Sequence, residues 1–253
     1  MATFKITVAY DGAGYVGWQR QASGVSIQGL IEDALRALDG HDVAVAGAGR
    51  TDAGVHALGQ VAAFTLAREM APDTLARALN AHLPPAVRVL RAEEAPPAFH
   101  PRFGARAKTY RYQLWTGEVL SPFERGRAWH VPGVLDVEAM RAAAQTLAGR
   151  HDFAAFQGAG SEVATTEREI FESAICSLQS AMLVYEVTGS GFLRHMVRNI
   201  VGSLVEVGRG RRPAAWIGDV LAARDRTAAG PTAPPQGLFL VRVEYSGALA
   251  AGS

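Results

Sequence analysis

The sequence predicts an α+β fold built from two similar halves that meet near residue 100. Three observations carry this. A chain of 253 residues that is 49% hydrophobic and 19% charged can bury a core in one large or two modest domains. Hydrophobic periodicity gives the same order twice, strand, helix, strands, helix, strand. The stretch from Pro96-Pro97 to Gly104 changes in character between the two runs. The division expected is an N-terminal half over 1–104, a C-terminal half over 105–247 and a flexible Ala/Gly/Ser tail over 248–253.

Each element has its own signal. Phe4 to Tyr10 alternates apolar and polar residues as a half-buried strand does, and Asp11-Gly12-Ala13-Gly14 breaks it. Ile27, Leu30, Ile31, Ala34, Leu35 and Leu38 recur at helical spacing, with Ser26 as N-cap and Gly40 as stop. Val43 to Ala46 and Val61 to Phe64 read as strands around a glycine-rich loop. A helix from Pro72 to about His82 ends before Pro84-Pro85, and Val87 to Ala92 is a strand. In the second half the pattern predicts a strand over Arg106 to Trp115 and a helix over Asp136 to Leu147, closed by Gly149. Strand segments over Ile175 to Thr188 join near Gln179-Ser180. Amphipathic helices over Leu193 to Val207 and Ala214 to Ala223 precede a last strand over Leu238 to Tyr245.

Composition excludes several function classes. No apolar run spans a bilayer and the N-terminus is unlike a signal peptide, so a cytoplasmic location is expected. Cys176 is the only cysteine, which rules out an intrachain disulfide and a cysteine-built zinc site. The seven histidines never pair at H-x-x-x-H spacing, so no metal is expected. Neither a phosphate-loop signature, nor a dinucleotide fingerprint, nor a G-x-S-x-G elbow is present. Net charge is only +1, yet Lys5 and Lys108 are the only lysines among 25 basic residues. Arginine therefore supplies the positive charge, and its planar fork suits phosphates and stacking on bases. Local clusters are Arg102/Arg106/Lys108/Arg111, Arg194/Arg198 and Arg209/Arg211/Arg212.

Three constellations carry candidate chemistry. The decapeptide Gly47-Ala48-Gly49-Arg50-Thr51-Asp52-Ala53-Gly54-Val55-His56 puts a carboxylate two residues from an arginine, which favours the charged form that a nucleophile needs. Thr-Asp-Ala-Gly also suits an ordinary type I turn. On Arg106-Ala107-Lys108-Thr109-Tyr110-Arg111-Tyr112, period-two alternation puts Arg106, Lys108, Tyr110 and Tyr112 on one face, able to stack a base and hold phosphates, or to pack a core. In Gly189 to Asn199, Arg194 and Arg198 are four apart on an expected helix face. That face is either solvated or buries Arg198 beside a carboxylate such as Asp52.

Taken together these motifs resemble the tRNA pseudouridine synthase A family. The likeness runs along nearly the whole chain: Tyr10-Asp11-Gly12 with Gly17-Trp18-Gln19-Arg20-Gln21; Ala48 to His56 with Gly59-Gln60-Val61; Phe99-His100-Pro101-Arg102-Phe103; Tyr110-Arg111-Tyr112; Gly191-Phe192-Leu193 through Met196 to Gly202; and Gly237-Leu238-Phe239-Leu240. Arg194-His195 and Pro101 depart from the family pattern. The resemblance implies two α/β-sandwich halves whose mixed, largely antiparallel sheets join into one extended sheet around a catalytic cleft, in a homodimer. It also implies isomerisation of uridine at positions 38, 39 and 40 of the tRNA anticodon arm without cofactor or metal. Asp52 would be the nucleophile, Tyr110 the residue stacked on uracil and a candidate base, and Arg198 the partner orienting Asp52. Arg50, Arg102, Arg106, Lys108, Arg209, Arg211 and Arg212 are the candidate RNA contacts, and His56 is structural or RNA-facing. Two other classes use similar residues. A non-catalytic RNA-binding module has no need of Asp52, and a carboxylate glycoside hydrolase wants a second acid, for which Asp11 is the only comparable residue.

Overall fold

Strand β1 (Ala2–Tyr10) opens the chain with strict alternation: Phe4, Ile6, Val8 and Tyr10 are buried while Thr3, Lys5, Thr7 and Ala9 are only partly so. The structure is a computed structural model that describes residues 1–160, 163–179 and 181–246. The expected tail over 248–253 and the turn residue Ser180 lie outside the described residues. The fold is α+β as predicted, with five α-helices and ten mostly antiparallel strands among the described residues. Contacts group the described residues into two units, one of residues 1–106 with 239–246, the other of residues 107–238.

In the first unit, β1 lies between β3 (His56–Leu66) and β4 (Val87–Ala95), antiparallel to both, with Phe4 opposite Phe64 and Ile6 opposite Ala62. Helix α1 (Ile27–Asp39) begins and ends where its sequence predicts. Ser26 Oγ accepts the Gly29 N–H, and Gly40 takes φ 77° to close the last turn. Burying Ile27, Ile31 and Leu35 contributes about 1.5–3 kcal/mol each against about 1 kcal/mol for the cap, so packing decides where α1 sits. Helix α2 (Pro72–His82), with Pro at its first turn, packs on β4.

The segment Val43 to Ala46 does not form the expected strand; only β2 (Ala46–Gly47) pairs with β3. The reason lies on α1. Gln28 donates to the Val45 carbonyl at 3.0 Å, and Glu32 accepts the Val45 N–H, so side chains rather than a ladder satisfy this backbone.

The second unit holds β5 (Ala105–Trp115), β8 (Glu167–Gln179) and β9 (Met182–Gly189), with β9 central and antiparallel to both neighbours. Short β6 (Trp129–His130) and β7 (Gly149–Asp152) extend the edges. Helices α3 (Val137–Gln145), α4 (Met196–Gly208) and α5 (Trp216–Ala223) complete it. Two boundaries differ from the sequence reading. Gly149 opens β7 at φ 98° instead of closing α3, which already ends at Gln145 with Thr146 as its C-cap. Helix α4 starts at Met196, not Leu193, because His195 sits in the left-handed region at φ 58° and breaks the helical path.

Strand β10 (Leu238–Tyr245), which the sequence reading put in the C-terminal half, pairs in parallel with β3, Phe239 opposite His56 and Leu240 opposite Ala57. No helix among the described residues is long and apolar enough to cross a membrane.

Candidate active site

Asp52 stands on a turn whose backbone is gripped from several directions. Its carbonyl accepts the Val55 N–H at 3.1 Å, closing a β-turn over Asp52 to Val55 with Gly54 third at φ 77°. The sequence suggested a type I turn; the positive φ at the third position is a type II feature that glycine permits without strain. One residue before, Thr51 is buried and its hydroxyl meets the Tyr10 hydroxyl at 2.8 Å. Asp52 itself is half-buried and Ala53 is exposed, so the chain steps from core to surface across the carboxylate.

The loop after β1 supplies the opposing surface. Trp18 N–H donates to the Thr51 carbonyl at 3.1 Å, and Gly54 N–H donates to the Tyr15 carbonyl. Gly17 takes φ 98°, and a Cβ there would stand 2.9 Å from the Asp52 carbonyl carbon and nearer still to the Thr51 oxygen. Gly47 lets the Trp18 ring approach, since a Cβ on it would be 2.5 Å from the indole. From below, fully buried Gln60 donates to the Gly49 carbonyl at 2.9 Å. Burial pushes the Tyr10 phenol up to about 12, with the Thr51 and Gln60 hydrogen bonds pulling the other way, so Tyr10 is a neutral strut.

Arg50 does not lean on Asp52. It is exposed, and its Nε donates to Gln19 Oε1 at 2.9 Å, because the turn sends it towards the loop after β1. His56 is only 2% exposed: its Nδ1 accepts the Gly12 N–H at 3.0 Å, and its ring stacks 4.6 Å from Phe239. Asp11 shapes its own turn by accepting the Ala13 N–H, with Oδ1 3.1 Å from His56 Nδ1.

In the second unit, Tyr110 on β5 is opposite Val187, 7% exposed, with the Phe192 ring edge-on at 4.9 Å. Tyr112 is core: fully buried, it donates to the Pro234 carbonyl at 2.7 Å, and burial raises its phenol further than the Arg198 charge lowers it. The face read as Arg106, Lys108, Tyr110 and Tyr112 is therefore graded from exposed Arg106 through half-buried Lys108 to core. Arg111 pairs with Glu186 at 2.9 Å and leaves the basic cluster.

Arg198 is half-buried near the start of α4, and its Nε donates to the Ala233 carbonyl at 2.8 Å while Ala233 N–H returns a bond to the Arg198 carbonyl. The strap that carries Ala233 is held by fully buried Asn199, which donates to Phe156 O and accepts from Thr232 and Arg226. Asn199→Ala strands these partners, and we expect a loss of about 2–3 kcal/mol in chemical denaturation, with a Tm lower by several degrees. Arg194 does not share a helix face with Arg198. It lies before the helix and donates to the Ala159 carbonyl at 2.6 Å. Glu206 draws Arg211 to 3.0 Å and Arg209 to 3.9 Å, while Arg212 lies over the Trp216 ring at 5.2 Å. Among the described residues no group of three or more His, Cys, Asp or Glu gathers to hold a metal.

Sequence reasoning missed the Tyr10–Thr51 strut, the Gly17 and Trp18 contacts, the Phe192 edge and the Ala233 strap. The glycine in Gly17-Trp18 was the available signal.

Comparison with known proteins bears directly on this arrangement. The family described as tRNA pseudouridine synthase matches residues 6–104 and 143–246. The tRNA pseudouridine synthase A of Myxococcus xanthus is 49% identical over 97% of this chain and 92% of its own length. That of Geobacter sulfurreducens is 47% identical over 97% of this chain and 100% of its own, and that of Solibacter usitatus 47% over 97% and 100%. This chain belongs to the tRNA pseudouridine synthase family.

Proposed function

We propose that this protein isomerises uridine to pseudouridine at positions 38, 39 and 40 of the tRNA anticodon arm. The observation that supports it most is the Asp52 turn, a carboxylate at the edge of the core whose backbone is fixed by Trp18, Tyr15 and Thr51 before any substrate arrives. The reaction breaks the C1′–N1 bond and forms C1′–C5, with no net redox change, hydrolysis or phosphoryl transfer, so side chains suffice. Asp52 attacks C1′, or assists through a deprotonated sugar intermediate, while the detached uracil turns in place and a base removes the C5 proton. Tyr110 stacks on the uracil and offers its hydroxyl as that base. Arg198 orients the Asp52 carboxylate, and its bond to Ala233 supports this by fixing the guanidinium.

Extruding the target base costs a few kcal/mol, which stacking and phosphate contacts must offset. Arg50, Arg102, Arg106, Lys108 and the Arg209/Arg211/Arg212 group supply those contacts, while His56 acts from beneath the loop. The working unit is a homodimer in the cytoplasm, where its substrate resides.

Tritium release from tRNA labelled at uridine C5, followed by mapping of the modified sites, tests the reading. Release that maps to positions 38 to 40 is expected; a bound but unreacted tRNA rejects it. Tyr110→Phe keeps the ring and its Phe192 contact, and its single-turnover rate should fall about 10²-fold. An unchanged rate removes the hydroxyl from the mechanism.

A further inference from the structure

Residues His100 to Gly104 form a single ordered turn, closed by Gly104 N–H donating to the His100 carbonyl at 2.9 Å. The His100 imidazole stiffens it, its Nδ1 accepting the N–H groups of Arg102 at 3.1 Å and Phe103 at 3.3 Å. The base of the turn is anchored: Pro101 is buried and its carbonyl accepts the Tyr245 hydroxyl at 2.8 Å, while the Phe99 ring lies 5.2 Å from that of Tyr245.

On this rigid base Phe103 projects with 78% of its surface in water. Its ring rests 4.4 Å from the His100 ring, and the Arg102 guanidinium lies 5.8 Å from its centre. No acidic residue occurs between Glu94 and Glu118 in the sequence. The head groups of Arg102 and Arg106 enter no ion pair among the described residues, whereas Arg91 and Arg111 on the flanking strands are each paired with a glutamate.

A single exposed ring beside the Arg102 guanidinium is not by itself the broad apolar patch of a protein interface. It has instead what a single-stranded nucleotide requires, a π-face for the base and positive charge for its phosphates. We propose that Phe103, braced by His100, is a stacking platform for an unpaired base of the tRNA other than the target uridine, with Arg102 on the adjoining phosphate. This rests on the pseudouridine synthase reading and adds to it a second base-binding point.

Binding of unmodified tRNA and of a fully paired RNA duplex of matching length is compared for wild type, Phe103→Ala, Phe103→Trp and Arg102→Ala. Phe103→Ala should weaken tRNA at least about fivefold and leave the duplex unaffected, and Phe103→Trp should restore binding. The slope of log affinity against log salt should stay the same in Phe103→Ala and fall by about one in Arg102→Ala. The proposal is overturned by wild-type tRNA affinity in Phe103→Ala, by equal weakness in Phe103→Trp, or by an equal loss on duplex. Tritium release by the same wild-type preparation separates the two levels. Its absence overturns the underlying reading, while release accompanied by an unaffected Phe103→Ala overturns the platform alone.

Discussion

Asp52→Asn should lower tritium release from C5-labelled tRNA by more than about 10³-fold, because it removes the charge of the carboxylate proposed to attack and preserves its shape. The turn survives the change, since the bond to Val55 comes from the Asp52 backbone carbonyl rather than its carboxylate. Affinity for tRNA at fixed salt should stay within about threefold, phosphate contacts being the dominant contribution. A parallel loss of affinity and activity would make Asp52 a binding residue, and appreciable residual turnover would place the nucleophile elsewhere.

Gly17→Ala is also expected to be damaging, by about an order of magnitude less, although residue 17 carries no functional group. Alanine at φ 98° is strained by about 1–2 kcal/mol, and its methyl would press on the Thr51 oxygen and the Asp52 carbonyl carbon. The Asp52 turn must shift to admit it, and a displacement of about 1 Å costs on the order of 10² in kcat. The diagnostic result is a fall in single-turnover rate with tRNA affinity retained and a Tm lowered by only a few degrees. A normal rate would show that the turn tolerates movement.

Legibility of the sequence follows the range of the interactions. Helix α1 is specified by neighbours, with its cap at Ser26, its stop at Gly40 and its apolar stripe all within fifteen residues, and spacing alone located it. The same holds for α2 and for β10. Segments whose backbone is satisfied at a distance were misread, as at Val45, which resembles a strand until Gln28 and Glu32 are placed over it. His195 is similar: nothing local marks a left-handed residue inside an apolar periodicity. At the candidate site, residue chemistry pointed to Asp52, Tyr110 and Arg198, but spacing misled about Arg50, whose head group goes to Gln19. The supports of the Asp52 turn were hidden because Tyr10 and Thr51 are forty-one residues apart in sequence, and only the folded sheet makes them neighbours.

The pairing of β10 with β3 makes the order of synthesis matter. The unit that bears Asp52 is not a contiguous stretch of chain, since its sheet takes in residues 239–245 and His56, four residues past the carboxylate, stacks on Phe239. On the ribosome, the unit that bears Asp52 therefore waits for β10, with the His56–Ala57 edge of β3 unpaired by it while residues 107 to 238 are made. A chain released early, before residue 239, would carry every residue proposed for the chemistry and still lack the strand that pairs with His56 and Ala57, just beyond the Asp52 turn.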